Sequence, residues 1–458
     1  MFRKIAAAVF VLCLVSVFSL QSAYADNPNW KADQDALFKE LKVKPGETFT
    51  RTKEDLVRVK SMLPERLYDW FARGDLADIK VKAFKYDTSH DAYWQRVSAE
   101  NKGKYTIDKD GRIIDIATGE YPLFVNGEPF PEDEIGMDIP DSASKVMYNR
   151  LLYKGRTGTS KHEHIVLWVD YERGLERTVQ CFWATYYYWG RKGGPVKNPE
   201  KLEMRDLTVA VAPFDMAGTA QLSIRTLGTK DDQVYAYVPA IRRVKRLSGA
   251  NRSDPYMGSE AIFDDAFGWN GLNASMNWTY LGIKTSLCWL VDWTVEHGKQ
   301  MDHNSDGSWS VSAPTFKYGF EVPGSKCAKW APVNSVWAPR KFHVVKAVPK
   351  DPYYNAGAIE IWIDLESKFI IYKWTWDRAG DYWKGIALTP HFVKWADSYG
   401  FQALSSNTIC DDKLKHATIV VGGCGKLHGS SVDMKTVFDL PKISPRMLTV
   451  EKIKMWTK

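Results

Sequence analysis

Ile165-Val166-Leu167-Trp168-Val169, followed by Arg177-Thr178-Val179-Gln180-Cys181-Phe182, is the stretch of sequence that decides the fold. Both runs are rich in β-branched and aromatic residues, which favour strands. Similar runs, separated by Gly, Asp or Pro, continue to the end of the chain at 207–211, 221–225, 234–238, 277–281, 290–296, 342–347, 358–363, 369–376, 417–421 and 432–438. This succession predicts one large, curved antiparallel sheet or a barrel over residues 156–458.

Residues 26–155, before these strands, have the pattern of helices and loops. A short amphipathic helix is expected at 33–41, and Thr52-Lys53-Glu54-Asp55 resembles a capping box that opens a second helix. A third helix follows Pro64 and would bury Leu67, Trp70 and Phe71. A hairpin around 108–111 and a helix over 141–152 complete the region. We expect it to pack on the sheet, giving an α+β, mainly β, fold in one large domain.

The first 25 residues have the pattern of a signal peptide. Arg3 and Lys4 precede an apolar run from Ile5 to Leu20, and Ala23-Tyr24-Ala25 is a small-x-small cleavage pattern. The alternative, a transmembrane anchor, needs about 20 apolar residues, more than this run supplies. We therefore expect cleavage after Ala25 and a mature protein in the periplasm, or at the inner face of an outer membrane.

The charge of the chain is weakly basic. The precursor carries 62 basic and 55 acidic side chains, a net charge of +7, and both signs are dispersed along the chain. This dispersion argues against nucleic-acid binding, whereas a peripheral attraction to anionic lipid head groups remains compatible with it.

Five cysteines remain after the signal peptide, an odd number for a compartment in which disulfides form. Cys410 and Cys424 flank a predicted hairpin and are the best candidates for a disulfide, worth roughly 3 kcal/mol for a loop of about 15 residues. Cys288 with Cys327 is a weaker candidate pair. Cys181 lies in an aromatic run and has the pattern of an inert core residue.

Aromatic residues are unusually frequent, with 19 Trp, 22 Tyr and 20 Phe. They can form a packed sheet core, line a cavity inside the sheet, or do both, because the concave face of a half-closed sheet is wide. Our predicted cavity wall consists of Val166, Trp168, Phe182, Trp362, Trp374 and Trp376.

A motif in the middle of the chain resembles a known family. Residues 237–247, which read Tyr-Val-Pro-Ala-Ile-Arg-Arg-Val-Lys-Arg-Leu, are followed by Tyr256-Met257-Gly258-Ser259-Glu260 and by Phe263-Asp264-Asp265. The pattern resembles that of the outer membrane lipoprotein-sorting protein-like family. Over most of its length the chain also looks like the periplasmic domain-of-unknown-function family 1329. The motif residues are Tyr237, Pro239, Arg242, Arg243, Arg246, Met257, Gly258, Glu260 and Asp264.

The resemblance implies a fold similar to that of the lipoprotein carriers LolA and LolB: an incomplete barrel, closed by helices over an apolar cavity. Such carriers bind acyl chains without changing them. The implied partners are a hydrophobic ligand or a lipoprotein acyl chain, together with an envelope transporter or an outer-membrane protein.

The cations of the motif also have an interpretation of their own. On a strand, Arg242 and Arg246 would share one face and Arg243 the other, so both faces carry charge. A strand with two charged faces is expected at an edge or rim of the sheet. There its cations either pair with Asp254, Glu260, Asp264 or Asp265, or meet an anionic head group or a partner protein.

Patterns typical of metal sites and of enzymes are weak. His162-Glu163-His164 places two imidazoles on one face of a strand, without a third ligand at a telling distance. Residues 302–307 begin like a calcium loop, but Ala313 stands where a bidentate Glu belongs, which favours an Asx-rich hairpin turn. We predict no catalytic residue, no metal and no cofactor.

The leading hypothesis is a non-enzymatic periplasmic carrier that holds a lipid, a lipoprotein acyl chain or another hydrophobic molecule. A carbohydrate-binding protein or glycan-acting enzyme would use the same aromatic residues as stacking platforms. An envelope scaffold without a ligand is the third alternative. The shape of the cavity distinguishes the first two, since a deep, dry cavity favours acyl chains and an open groove with aromatics beside carboxylates favours sugars.

Overall fold

The computed structural model describes residues 27–457, apart from 156, 229–230, 249–250, 297–298, 313–315, 396–397 and 424–433. The predicted signal peptide therefore lies outside the described residues, as does Cys424. Within the described part, no helix is long and apolar enough to cross a membrane.

Among the described residues, six α-helices form where the capping and turn residues favour them: α1 Trp30–Leu41, α2 Lys53–Val59, α3 Glu65–Ala72, α4 Ala92–Ala99, α5 Ser142–Gly155 and α6 Asp292–Glu296. The hydroxyl of Thr52 accepts a hydrogen bond from the backbone N–H of Asp55, which opens α2. Pro64 precedes α3, whose Leu67, Trp70 and Phe71 are buried as predicted. Short 3-10 turns lie at Glu132–Glu134, Pro239–Ile241, Asn251–Ser253, Tyr256–Gly258, Phe263–Gly268, Asn273–Ser275, Gly319–Glu321 and Ile453–Met455.

In the described part of the chain, four short strands form two small two-stranded sheets outside the main one. They are β1 Thr48–Phe49, β2 Ile79–Lys80, β3 Tyr105–Ile107 and β4 Ile113–Asp115. β3 pairs with β4 across the turn that the sequence predicts at 108–111.

The remaining strands build the main sheet: β5 Thr159–Asp170, β6 Gly174–Tyr187, β7 Leu202–Ala212, β8 Ala220–Thr226, β9 Gln233–Val238, β10 Arg243–Leu247, β11 Met276–Val291, β12 Lys299–Gln300, β13 Asp302–His303, β14 Trp309–Val311, β15 Ser335–Pro349, β16 Ala358–Asp364, β17 Ile370–Trp376, β18 Tyr382–Trp395, β19 Ser398–Asp411, β20 His416–Gly422 and β21 Thr436–Phe438. Neighbouring strands pair antiparallel in the order β10-β9-β8-β7-β6-β5-β20-β19-β18-β17-β16-β15-β11. β21 pairs with both β5 and β14, β13 pairs with β14, and β12 lies parallel to β18. The large, curved antiparallel sheet covered by helices, an incomplete barrel, is confirmed.

The two faces of the sheet are covered by different parts of the chain. One face, which we call the helix face, packs against α1 to α3 in a core that contains Leu167 of β5 and Trp70 of α3. The opposite face packs against α5 and against residues 252–270, which we call the roof, and this second side is the roof face. Alternate residues of each strand therefore enter different cores, as the two-residue period of a strand requires.

Tryptophans fill much of the helix face. Five of them, Trp70, Trp289, Trp330, Trp337 and Trp374, have almost no exposed surface. The ring centroids of Trp70 and Trp330 are 5.1 Å apart and those of Trp289 and Trp337 are 6.1 Å apart, in tilted or edge-to-face arrangements that aromatic pairs favour. On this face the abundant aromatic residues form packed core.

The described residues test the cysteine predictions. Cys288 and Cys327 are both free thiols, so the weaker candidate pair is wrong; Cys288 is buried on β11, and Cys327 lies in a loop that contacts Ala331. Cys181 is buried on β6, where burial raises the pKa of its thiol to about 12 and keeps it protonated. Cys410 is also a free thiol, buried on β19 opposite Ala417 of β20, which contradicts the predicted disulfide with Cys424, a residue outside the described part of the chain.

Candidate functional site

The roof is irregular and contains two non-glycine residues in the left-handed region of backbone space. Met257 has φ +53° and Phe267 has φ +50°. Non-glycine residues there cost free energy, so the surrounding contacts must hold the roof in this shape.

Buried cations from distant parts of the chain supply those contacts. Arg150 of α5 donates hydrogen bonds from Nη1 to the carbonyl oxygen of Trp269 and from Nη2 to that of Phe267, both at 2.6 Å. Lys373 of β17 lies 2.7 Å from the carboxylate of Asp265, and both side chains are 1% exposed. Carbonyl and carboxylate oxygens of the roof are thus satisfied by charged donors from the helix and sheet around it.

An arginine–aspartate network holds the other side of the roof. Arg225 of β8 makes a two-point contact with Asp232, in which both N–O distances are 2.9 Å. Arg252 contacts both Asp232 and Asp264. Burial alone would raise the pKa of Asp232, but the charges of Arg225 and Arg252 lower it to about 2. The carboxylate therefore remains ionised throughout the physiological range, and the network persists.

Between the roof and the sheet lies a cavity of about 320 Å³. Its floor includes side chains from β5 to β10 that point to the roof face: Val166, Trp183, Thr208, Gln221, Val234 and Leu247. The roof contributes Tyr256, Ile262, Phe263 and Phe267. Aliphatic and aromatic groups therefore face each other across the space, as in sites for small hydrophobic molecules.

The wall also contains polar groups. His162 and His164 of β5 and Asp206 of β7 line the cavity, and the indole N–H of Trp183 donates to Asp206 at 3.2 Å. Among the described residues, no group of three or more His, Cys, Asp or Glu side chains is placed to hold a metal ion. The cavity thus combines an apolar body with a polar side.

Burial makes His164 a source of acid sensitivity. Burial lowers its pKa from the ordinary 6.5 to about 4, while its Nδ1 lies 3.2 Å from the carbonyl oxygen of His162. At a pH between these two pKa values, His164 binds a proton in the unfolded chain but not in the folded chain. We therefore expect the free energy of unfolding to fall as the pH decreases from about 6.5 to about 4, with about 3 kcal/mol due to this residue.

Urea unfolding at a series of pH values measures this effect, and His164→Gln is the matched variant because glutamine cannot ionise yet keeps an N–H donor. His391, also buried and with its pKa lowered to about 3, is present in both proteins, so the difference between the two curves isolates His164. Parallel curves for the two proteins would contradict the assignment.

The structure separates the six residues of the predicted cavity wall. Val166 lines the cavity. Trp168 points to the same face but packs in a small cluster with Cys181 and Met257, and its indole donates to the roof at Gly258. The other four lie elsewhere: Phe182 in a separate core on the opposite side of β6, and Trp362, Trp374 and Trp376 in or against the helix-face core. The cavity therefore lies on the roof face, away from most of the tryptophans.

The motif residues fall into two groups. Met257, Gly258, Glu260 and Asp264 belong to the roof, whereas Tyr237, Pro239, Arg242, Arg243 and Arg246 form the β9–β10 hairpin and its turn. Glu260 accepts from His416 at 2.8 Å, and Asp264 accepts from Arg252 and from the hydroxyl of Tyr354. Glu260 and Asp264 are thus engaged with partners other than the hairpin cations.

The expected ion pairs along the rim do not form. Within the described part of the chain, none of Arg242, Arg243 or Arg246 makes a salt bridge, and all three are exposed. Of the two alternatives considered for these cations, the structure contradicts internal pairing, because Asp264 and Asp265 are already paired with Arg252 and Lys373.

The residues that shape the site and that sequence patterns missed are Arg150, Arg225, Asp232, Arg252 and Lys373. Asp232 follows Asp231 in a segment typical of an exposed turn. A signal existed only for Lys373, a lone cation inside the otherwise apolar and aromatic run 369–376.

The predicted Asx-rich turn at 302–307 is present. β13 pairs with β14 across it, and the carboxylate of Asp306 accepts hydrogen bonds from the backbone and hydroxyl of Ser308. These contacts account for its acidic residues as turn-forming groups.

Solved structures with similar architecture come from several bacteria. A putative outer membrane lipoprotein-sorting protein domain from Vibrio parahaemolyticus is 14% identical, with 68% of this chain and 97% of that chain covered and a TM-score of 0.44. A DUF1329 family protein from Desulfovibrio piger is 12% identical over 68% and 98%, with a TM-score of 0.43. A LolA superfamily protein from Nitrosomonas europaea is 9% identical over 68% and 98%, with a TM-score of 0.37.

No curated protein matches the sequence. The family described as "Protein of unknown function (DUF1329)" matches residues 50–420, which include nearly all of the main sheet, the roof and the β9–β10 hairpin. The resemblance noted in the sequence is confirmed, and the chain belongs to the DUF1329 family.

Proposed function

We propose that this protein is a periplasmic binding or carrier protein that holds an acyl chain or another small hydrophobic molecule between the sheet and the roof. The observation that carries the proposal is the cavity of about 320 Å³ whose facing walls are aliphatic and aromatic. An apolar guest there would replace water against Val166, Val234 and Phe267, and burial of apolar surface favours such binding by about 25 cal/mol per Å².

The size of the cavity limits the ligand. Pockets for small molecules commonly have volumes of about 300–1,000 Å³, so this cavity lies at the small end of that range. It suits a single acyl chain or one compact hydrophobic molecule rather than a lipid with several chains. The polar side of the wall, with His162, Gln221 and Asn407, suits a ligand that has a polar end.

Binding without reaction fits the state of two of the acids at this site. Asp232 and Asp265 both line the cavity, and each is tied to a buried cation. Their carboxylates serve to hold the roof in place, which favours a binding role over general acid or base chemistry.

The periplasmic part of the proposal depends on the pattern of residues 1–25, with its basic start, apolar run and Ala23-Tyr24-Ala25. N-terminal sequencing of the protein isolated from a periplasmic extract tests it, and Asp26 as the first residue is the expected result.

The ligand itself is identified by purifying the protein under native conditions, extracting it with organic solvent and analysing the extract by mass spectrometry. We expect a lipophilic molecule in about stoichiometric amount. The absence of any lipophile, together with no binding of a fluorescent fatty-acid analogue, would overturn the carrier proposal.

A variant that fills the cavity gives a sharper test. Val234 of β9 points into the cavity and is 8% exposed, so Val234→Phe would occupy space that the ligand needs. We expect at least a ten-fold loss of affinity for the fatty-acid analogue, which corresponds to about 1.4 kcal/mol. Val348→Phe, on the 45% exposed Val348 of β15, is the matched control and should bind like the wild type.

A carbohydrate ligand is the second candidate, favoured by one observation. Trp183 lines the cavity beside the carboxylate of Asp206, and an aromatic ring next to a carboxylate is an arrangement that can hold a sugar. Two results together would favour this candidate over the carrier. The wild type would bind oligosaccharides more tightly than the Val234→Phe variant does, and neither protein would bind the fatty-acid analogue.

A further inference from the structure

The turn that joins β9 to β10 and the turn that joins β7 to β8 lie side by side at one end of the sheet. Ala220 of β8 pairs with Tyr237 of β9, so both chains leave the sheet in neighbouring positions. A Cβ atom built on Gly218 would lie 3.1 Å from Cγ of Pro239, which shows how close the two turns are.

Both turns expose apolar side chains. Phe214, in the turn after β7, is 97% exposed, and Ile241, in the turn after β9, is 45% exposed. At 97% exposure, the ring of Phe214 packs against almost nothing in the described part of the chain. Exposed aromatic rings at the tips of turns are suited to enter the boundary region of a lipid bilayer.

Four cations flank these two apolar residues. Arg242, Arg243, Lys245 and Arg246 are exposed, and within the described part of the chain none of them makes a salt bridge. Three of the four acids that the sequence offered as partners, Glu260, Asp264 and Asp265, are engaged elsewhere. Asp215, which directly follows Phe214, is an exposed acid, so the four cations outnumber it. We call Phe214, Ile241 and these four cations the hairpin patch.

We propose that the hairpin patch docks the protein on the surface of an anionic phospholipid bilayer, with Phe214 and Ile241 entering the interface and the four cations contacting lipid phosphates. Charge complementarity selects this occupant: unpaired arginine and lysine side chains beside exposed apolar residues match anionic head groups above an apolar layer. The docking surface goes beyond the proposed carrier function and stands even if the cavity holds no lipid.

The patch is connected to the cavity by the geometry of β10. Leu247 lines the cavity, and Arg243 and Lys245 point to the same face of β10 as Leu247. Docking through the patch would therefore bring this side of the cavity wall close to the bilayer.

Co-sedimentation of the full mature chain with lipid vesicles tests the proposal. We expect binding to phosphatidylcholine vesicles that contain phosphatidylglycerol, little binding to phosphatidylcholine alone, and release as ionic strength rises from about 0.1 M to about 1 M, because salt screens the attraction. Each cation is expected to contribute about a five-fold factor in affinity. Arg243→Glu with Arg246→Glu should therefore lower the affinity at least about 25-fold.

Matched controls distinguish a specific patch from general basicity. Lys341 and Lys346 are exposed on β15, so Lys341→Glu with Lys346→Glu makes the same change of net charge elsewhere and should leave the affinity within about two-fold of the wild type. Phe214→Ala should weaken vesicle binding about ten-fold, and Tyr353→Ala, at an 84% exposed site in another loop, should not.

The outcomes are decisive in either direction. Equal vesicle binding by the hairpin double variant and the β15 double variant would overturn the proposal, as would the absence of wild-type binding to anionic vesicles; the latter result would direct attention to an acidic protein partner. If the hairpin double variant does not fold, Phe214→Ala and the salt series still test docking. Loss of vesicle binding with retained fatty-acid binding separates this surface from the carrier function.

Discussion

Replacing Asp265 by alanine is expected to lower the free energy of unfolding by about 3–5 kcal/mol, because the change leaves the ammonium of Lys373 buried without its partner. The two groups are 2.7 Å apart, and each side chain is 1% exposed. Asp265 also accepts a hydrogen bond from the backbone N–H of Ile262 within the roof. Chemical denaturation followed by tryptophan fluorescence measures the loss.

Removing the charge of Lys373 as well tests whether the buried, unpaired ammonium causes the loss of stability. Combining Asp265→Ala with Lys373→Met removes both charges, and because an apolar replacement avoids a buried unpaired ion, we expect recovery of about 2 kcal/mol. Glu100→Ala is the control, since Glu100 and Arg96 form an exposed pair at 2.8 Å whose loss should cost less than about 0.5 kcal/mol. A double variant that is as unstable as Asp265→Ala would show that the roof contacts, and not the buried charge, dominate.

The overall architecture could be predicted from the sequence because it follows from local rules. Thr52 caps α2 through its own side chain, and Pro64 fixes the start of α3, so both helices are encoded within a few residues. Strands such as Ile370–Trp376 were visible from their β-branched and aromatic residues. The odd and even positions of each strand were therefore known to face opposite sides.

The location of the cavity could not be predicted in this way. The choice between the two faces of the sheet depends on which distant segment covers each face: α3 fills the space beside Trp374, while the roof leaves space beside Val166. Arg150 reaches the roof carbonyl of Trp269 across 119 residues of sequence. Charged residues are normally exposed, so a charge pattern in the sequence predicts surface positions. Arg150 is instead buried and holds the roof, and its burial depends on the whole fold.

Replacing Trp70 by alanine is expected to cost about 3–5 kcal/mol of unfolding free energy, because the ring lies at the junction between α3 and the helix face of the sheet. Its centroid is 5.1 Å from that of Trp330 and 5.4 Å from that of Trp374, and it is completely buried. Its indole N–H also donates to the carboxylate of Asp412 at 2.8 Å. Tyr353→Ala, at an exposed site, should change stability by less than about 0.5 kcal/mol.

A neighbouring glycine provides an independent test of this packing. A Cβ atom added at Gly385 would lie 2.7 Å from the rings of both Trp374 and Trp70, so Gly385→Ala alone should cost about 1–3 kcal/mol through overpacking. In the Trp70→Ala background one of the two clashes is gone, and the added methyl group can occupy part of the vacated volume. The double-mutant cycle should therefore show a favourable coupling of about 1 kcal/mol. Strict additivity of the two substitutions, measured by urea denaturation, would mean that Trp70 and β18 do not pack as closely as the structure shows.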